Sequence, residues 1–325
     1  MIGGRNLLKV VALVLWFSFG LSGTASAQYP NKPVRLISPF PPGGGVDAIA
    51  RIIANALSED LGQAFIVENH GGAGGRIGTE IAAKAAPDGY TLLLGSVGPN
   101  AIIPSAYQSL PYDAINSFAP VSVIGRSAYA LTVPASSPAK NVNDLIALAK
   151  ARPGTLDFAS TGNLGGPHLA GELFKSLADI KAVHVPYKGG GPMITALLSG
   201  EVSFAFVSLP TVVPHMKSGT LRVLAVTTAE RSGTMPDVPA VAEFLSGYEV
   251  LQWYGILAPA KTTSAIVTKL HDEIVKVVNM PKVRAQLASS DTEPFTNSPQ
   301  AFQAQIKAEL SKYRTLIEKS DIRLE

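Results

Sequence analysis

The chain contains no cysteine. This excludes disulfides and an N-terminal cysteine carrying a lipid anchor. Charge is also sparse: Asp, Glu, Lys and Arg are 16% of the 325 residues, with no charge run and no basic stripe. Nucleic acid needs such a stripe, so that class of partner is excluded. Beyond the N-terminal segment no apolar stretch reaches the roughly 18 residues of a spanning helix. Catalytic signatures are absent as well. No G-x-x-x-x-G-K-[S/T] string occurs, and Lys188 precedes its glycines rather than following them, which excludes a P-loop. The nearest approach to a G-x-S-x-G elbow, Leu94-Gly-Ser-Val-Gly98, lacks the first glycine. His70, His168, His184, His215 and His271 are scattered, and no His-Glu-x-x-His accompanies them. His168 and Glu172 can share a helix face at i, i+4, as metal ligands do, but a hydrogen-bonding or structural role is the better reading. Nothing assembles a nucleophile, a base and an oxyanion hole. The expectation is a protein that is not an enzyme and carries neither cofactor nor metal.

What is present begins with the N-terminus. Arg5 and Lys9 form a basic start, Val10–Leu21 is an apolar core, and Ala25-Ser26-Ala27 fits the small-x-small cleavage rule. This pattern is a cleaved secretory signal over residues 1–27, shorter than a membrane anchor and without the paired arginines of the twin-arginine route. The expected route is Sec-type export to a soluble existence in a bacterial periplasm. Hydrophobic residues are 46% of the chain, enough for a large buried core, and the length suggests about two domains.

The rest of the chain alternates strand and helix, which points to parallel sheet and an α/β fold. Five times an apolar, strand-like run ends in a glycine-rich turn and restarts as a helix. The junctions are Phe40-Pro-Pro-Gly-Gly-Gly-Val-Asp47, Asn69-His-Gly-Gly-Ala-Gly-Gly-Arg76, Gly95-Ser-Val-Gly-Pro-Asn100, Ser160-Thr-Gly-Asn-Leu-Gly-Gly166 and Tyr187-Lys-Gly-Gly-Gly-Pro192. Glycine allows close backbone approach, and a helix start leaves N–H groups without intrahelical partners. Such junctions attract carboxylate or phosphate oxygens without a cationic side chain, and in an open α/β sheet they gather at the carboxyl edge. The chain is built to hold a small anion.

Strands are expected at Val34–Ser38, Ala64–Glu68, Tyr90–Leu94, Ala128–Val133, Leu156–Thr161, Ala182–Tyr187, Val202–Ser208 and Leu221–Thr227. Asn141, with Asp144 three residues later, reads as a helix N-cap. Tyr248–Pro259 is apolar and aromatic, and Thr263–Ser320 reads as helical throughout. A helical tail packing back on the first sheet makes the first domain discontinuous: residues 28–126 plus 254–325 form lobe 1 and residues 127–253 form lobe 2. Crossings near Ala128–Val133 and Trp253–Ala258 form a two-strand hinge. Tyr187 and Trp253-Tyr254 suit a ligand cleft, with ordinary packing as the competing reading.

One rival starts from Gly43-Gly44-Gly45-Val46-Asp47-Ala48, which satisfies G-x-G-x-x-A, with Glu68 placed where a ribose-binding acid belongs. It implies an exported dinucleotide oxidoreductase. Against it, Pro39, Pro41 and Pro42 put a stiff elbow before the glycines, where a dinucleotide turn follows its strand directly. A hydrolase on the same fold is a further alternative.

The strings themselves resemble a known family. Tyr29-Pro-x-Lys-Pro-Val-Arg-Leu-Ile37, Pro39-Phe-Pro-Pro-Gly-Gly-Gly-x-Asp47, Ala86-Pro-Asp-Gly-Tyr-Thr-Leu92, Leu110-Pro-Tyr-Asp113, His168-Leu-Ala-Gly-Glu172, His184-Val-Pro-Tyr-Lys-Gly189 and Trp253-Tyr-Gly255 are similar to the Bug family, the periplasmic solute receptors of tripartite tricarboxylate transporters. The resemblance implies a two-lobed periplasmic-binding-protein fold of type II kind, each lobe a mainly parallel sheet flanked by helices. It implies a small organic carboxylate held between the lobes by backbone N–H groups, membrane permease subunits as partners, and a monomer. A receptor feeding a signalling system is the alternative use. Carried onto this sequence, Phe40, Pro41, Pro42, Gly43, Gly44, Gly45, Asp47, Ser96 and Gly98 would line lobe 1. Ser160, Thr161, Gly162, Asn163, His168, Tyr187, Lys188, Gly189, Val207 and Ser208 would line lobe 2. The chain departs from the family pattern at three places. Val207 stands where many members have aspartate, which predicts that amino acids are disfavoured. Leu164 replaces the second glycine of a Ser-x-Gly-x-Gly loop, and His70-Gly71 replaces Arg-Pro.

Overall fold

The computed structural model describes residues 29–319 except Gly44, Lys188, Gly189, Thr234 and Asp291, and its compact body runs from Lys32 onward. The expected signal, residues 1–27, lies outside the described residues.

Three strands, β1 (Val34–Ser38), β2 (Phe65–Asn69) and β3 (Thr91–Ser96), pair in parallel with β1 in the middle. Helix α1 (Gly45–Leu61) follows β1 and buries Ile49, Ala50, Ile53, Ala54 and Leu57. That is a single stripe at helical spacing, and each large side chain contributes about 1.5–3 kcal/mol of transfer free energy. Helix α2 (Arg76–Ala83) follows β2, and β3 runs into a π-helical turn (Gly98–Ile102) and a short helix α3 (Ile103–Ala106). This half therefore presents three strand ends, each leading through a short turn or loop into a helical start.

Strand β4 (Phe118–Pro134) is longer than the sequence pattern indicates and belongs to both sheets. Phe118–Ala128 pairs antiparallel with β9 (Leu251–Pro259), which also pairs with β3; Tyr129–Pro134 pairs with strands of the second sheet. Pro120 and Gly125 mask its first half as a strand. Register shifts at Pro120/Ser122 and Val123/Gly125 absorb them, as bulges do.

The second half repeats the plan. Asn141 Oδ1 accepts the Asp144 N–H at 2.9 Å and opens α4 (Val142–Ala151). Strand β5 (Leu156–Ser160), helix α5 (Gly166–Ala178), β6 (Ala182–Pro186), α6 (Gly190–Ser199), β7 (Phe204–Ser208), α7 (Leu209–Lys217) and β8 (Leu221–Val226) follow in order. Strands β6 and β7 pair in parallel with β5, while β7 and β8 pair antiparallel with β4. Phe158, Phe174, Phe204, Phe206 and Tyr248 fill the core beneath this sheet, with edge-to-face pairs such as Phe174–Phe204 at 6.1 Å and 62°.

The tail is three helices rather than one continuous helical region: α8 (Ser264–Val278), α9 (Pro281–Ser289) and α10 (Pro299–Lys319). Pro281 and Pro299 each start a helix. Between the last two, a short strand β10 (Glu293–Pro294) pairs with β4 at Gly125–Arg126. Helices α8 and α10 pack on β4, and α10 also packs on α3 and the π turn. Phe302 of α10 meets Trp253 edge-to-face at 5.1 Å and 88°, while Trp253 Nε1–H donates to Glu309 Oε2 at 2.6 Å. The strands form one path, β2-β1-β3-β9-β4-β7-β5-β6, with β8 and β10 flanking β4. No helix among the described residues is long and apolar enough to cross a membrane.

Candidate functional site

All five glycine junctions reach one cavity of about 450 Å3. The first contributes Phe40, Gly45 and Val46, the second Gly74, and the third Ser96, Val97 and Gly98. The fourth contributes Thr161–Pro167 and the fifth Gly190. A larger groove of about 1040 Å3 lies along Pro104–Ser117 and α10, and no junction residue reaches it.

A sixth junction also lines the cavity. Strand β7 runs into α7 through Ser208 and Thr211, whose hydroxyl oxygens are 2.8 Å apart. It carries no glycine, so the glycine pattern passes over it. The strands shared by the two halves add Ser127, Tyr129, Gln252 and Tyr254, and Met193 and Ser290 complete the wall with Ile103. These are brought in by tertiary packing alone. Tyr129 sits so close to the start of α5 that a Cβ at Gly166 would strike its hydroxyl, which explains glycine there.

Among the described residues the wall contains no Asp, Glu, Lys, Arg or His. Its polar groups are hydroxyls, amides and helix starts. Helix α5 begins at Gly166-Pro167 without a side-chain cap, so the amides of its first turn point out of the helix. Ser96 Oγ is buried, lines the cavity, and has no hydrogen-bond partner among the described residues. Asn100 accepts the Ser96 N–H through Oδ1 at 3.1 Å, while its Nδ2 is likewise without a partner. Buried polar groups are nearly always satisfied, and Ser96 Oγ, being on the cavity wall, is free to bond a molecule held there.

Several residues singled out from the sequence lie behind the wall rather than on it. Asp47 is buried: it accepts N–H groups of Gly43 at 2.9 Å, Arg51 at 3.0 Å and Asn69 at 2.9 Å. Burial alone would raise its pKa, but the bonds from Arg51, Gly43 and Asn69 outweigh it and hold the carboxyl below its ordinary value. Asp47 thus fastens the first glycine loop. Pro41, Pro42 and Gly43 belong to that loop without touching the cavity, whereas Gly44 is outside the described residues. Glu68, the acid a dinucleotide ribose would require, is forked by Arg35 at 2.8 and 2.7 Å.

In the second half, Ser160 and His168 act together with His184. Leu164 N–H donates to His168 Nδ1 at 3.1 Å, and Ser160 Oγ lies 2.6 Å from His184 Nε2 while accepting the Gly162 N–H at 3.1 Å. The two imidazoles stack at 3.7 Å and 9°. Because His168 Nδ1 is an acceptor, its proton is on Nε2, which faces Glu172 at 3.7 Å. Burial pushes His184 down to about 4, helped by His168 and Lys175 and opposed by Glu172. Burial also works against an ionised Glu172, but His168 and the Lys175 ammonium at 2.8 Å outweigh it and keep the carboxyl below its usual range. His168 and Glu172 are thus a structural pair. Among the described residues no group of three or more His, Asp or Glu could hold a metal ion.

Tyr187 points its hydroxyl to Glu201 at 2.8 Å, away from the cavity, and Lys188 and Gly189 are outside the described residues. Val207 is fully buried in a core with Ala130, Ala159 and Ala205. Successive side chains of a strand point to opposite faces, so Val207 turns inward where Ser208 turns to the cavity. Leu164 has φ 58°, a left-handed conformation that costs a branched residue about 1–2 kcal/mol.

The chain, whose two α/β halves converge their strand ends on one cavity without charged side chains among the described residues, matches a family model described as the tripartite tricarboxylate transporter family receptor, TctC, over residues 49–322. The chain belongs to this receptor family. BugT of Bordetella pertussis is 34% identical over 98% of this chain and 99% of its own. An R. palustris protein solved with adipate is 35% identical, with a TM-score of 0.78, covering 89% of this chain and 97% of that one. MatC from Rhodopseudomonas palustris, solved with bound malate, is 27% identical with a TM-score of 0.75, covering 89% of this chain and 100% of MatC. TctC receptors are periplasmic solute-binding proteins, not enzymes, and they have the two-lobed periplasmic-binding-protein fold.

Proposed function

We propose that this TctC receptor binds a small organic carboxylate between its lobes and delivers it to the permease subunits of a tripartite tricarboxylate transporter. The observation that carries the reading is the convergence of six strand-to-helix junctions on a cavity with no ionised side chain among the described residues. Amides at helix starts are suited to carboxylate oxygens, and each charge-assisted bond contributes about 1.5–3 kcal/mol. A few of them support micromolar affinity after association costs. The relatives solved with adipate and malate favour the same ligand class.

In this reading residues 28–126 plus 254–325 are lobe 1 and 127–253 are lobe 2. Residues 1–27 are a cleaved Sec signal and the mature protein is a periplasmic monomer. A ligand touching both sets of helix starts stabilises the closed form, because only that form satisfies both of its ends. An ammonium-bearing ligand is disfavoured for want of a carboxylate on the described wall, not through Val207.

The test is native mass spectrometry of protein purified with its endogenous ligand, followed by calorimetry with that ligand and a panel of carboxylates. A carboxylate recovered chemically unchanged, with compaction on binding in small-angle scattering, supports the receptor. Turnover of the ligand, or a bound nucleotide or neutral lipid, defeats it.

A further inference from the structure

The residue on the cavity wall that fits its backbone least well is Leu164. It holds a left-handed conformation, φ 58°, that suits glycine, yet its side chain is 8% exposed and forms part of the wall. Its peptide is held there: the Leu164 N–H is bound by the buried His168, and the start of the same loop is bound through Ser160 by His184, the two rings stacking face to face.

The direction the side chain takes is equally telling. Leu164 comes from the β5–α5 loop of the second half, but it belongs to an apolar cluster otherwise built almost wholly from the first half and the shared strands. That cluster includes Val97, Ile102, Trp253 and Phe302. Leu164 is thus part of both the cavity wall and an apolar cluster dominated by the first half, which it shares with Leu169 of α5. Beside it the wall continues in hydrocarbon, through Phe40, Val46, Val97, Ile103 and Met193. Hydroxyls and amides share these junctions, but the surface of the cavity is more apolar than polar, and Leu164 belongs to its apolar share.

We propose that Leu164 sets the specificity of this site, selecting carboxylic acids whose body is plain hydrocarbon over acids of equal length that carry a hydroxyl or amino group. The inference rests on the carboxylate reading and refines it. A hydroxyl or ammonium placed against the Leu164 side chain loses its water without gaining a partner from it, whereas a methylene loses nothing. Discrimination by an apolar wall against one added hydroxyl reaches about 10- to 100-fold and not more.

Calorimetry on the full mature chain, purified free of ligand, tests this with matched pairs: succinate and malate, glutarate and 2-hydroxyglutarate, adipate and 2-aminoadipate. In every pair that binds, the hydrocarbon member is expected to bind at least about tenfold tighter. Leu164→Gly relieves the backbone while removing the apolar wall, and is expected to bring the ratio close to one by tightening the substituted member. Leu164→Met keeps a hydrocarbon wall and is expected to keep the ratio, and thermal melts establish that both variants fold. Equal or tighter binding of the substituted acids by the unaltered chain overturns the inference while leaving the carboxylate reading in place. A ratio unchanged in Leu164→Gly does the same. Failure of every acid to bind overturns the carboxylate reading and this inference with it.

Discussion

The first and fourth glycine junctions present helix starts to the same cavity, yet they are fastened by opposite chemistry. The Phe40–Gly45 loop is tied by an ionised carboxylate, Asp47, to an amide and a half-exposed guanidinium. The Ser160–Gly166 loop is tied by two stacked imidazoles, one of them buried. The difference shows that a loop which offers its N–H groups to a ligand must be held by its other groups, and that the holder need not touch the ligand. It also makes the two halves unequal in acid. The charged clasp depends on a carboxyl below its usual range. The imidazole clasp depends on a ring that takes up a proton far more readily when unfolded.

Removing a ring should have the largest effect. His168→Ala leaves the Leu164 N–H without its acceptor, leaves Glu172 with Lys175 alone and empties half of a packed stack, a loss of about 2–4 kcal/mol. Chemical denaturation measures it, and His168→Asn, which restores an acceptor, should recover part. Asp47→Ala should come next. It removes the acceptor shared by Gly43, Arg51 and Asn69 at the first loop and should cost about 1–3 kcal/mol by the same measurement. Its effect on ligand affinity should at least equal that of His168→Ala, because Phe40, Gly45 and Val46 all line the cavity.

Acid should separate the clasps without mutation. His184 has a folded pKa of about 4 against an ordinary 6.5. Its contribution is therefore complete above about pH 6.5 and is lost as pH falls from there towards 4, because the unfolded chain binds the proton first. Allowing for its partial exposure, the loss is about 1–2 kcal/mol. The Asp47 clasp is lost only as pH falls below the ordinary carboxylate value of 3.8. At pH 5, hydrogen-exchange protection, referred to the intrinsic rate at that pH, should fall at Gly162 and Leu164 before Gly43, and His184→Phe should flatten the stability profile between pH 7 and 4. Equal loss of protection in both loops would remove the distinction. The smallest effect on stability is expected from Ser96→Ala. Its hydroxyl is buried without a partner, so deletion should change stability by less than about 0.5 kcal/mol while weakening ligand binding about five- to tenfold.

Much of this arrangement is legible in the chain itself. Alternating strands and helices, the Asn141 cap and the glycine junctions follow from local pattern, because each is a matter of a few neighbouring residues. The first half of β4 is not legible, since Pro120 and Gly125 read as breaks until the sheet supplies bulges to contain them. Nor does a local pattern divide the tail at Pro281 and Pro299. Within the site, Ser208 and Thr211 escape notice because their junction has no glycine, while Tyr129 and Gln252 arrive only when β4 meets β9. The resemblance draws His168 and Val207 toward the ligand. The fold places one as a prop and the other in the core, by a hydrogen bond to Leu164 and by strand alternation respectively.

A wall of dipoles also has a bearing on salt. Between about 0.01 and 1 M the Debye length shrinks from about 30 to 3 Å, and grips that depend on exposed lysine or arginine weaken accordingly. Here the described wall offers no such ion for dissolved counterions to mask, and amides packed around a ligand leave no room for a screening atmosphere. The part of the grip that this described wall supplies should be about equally strong in fresh water and in brine.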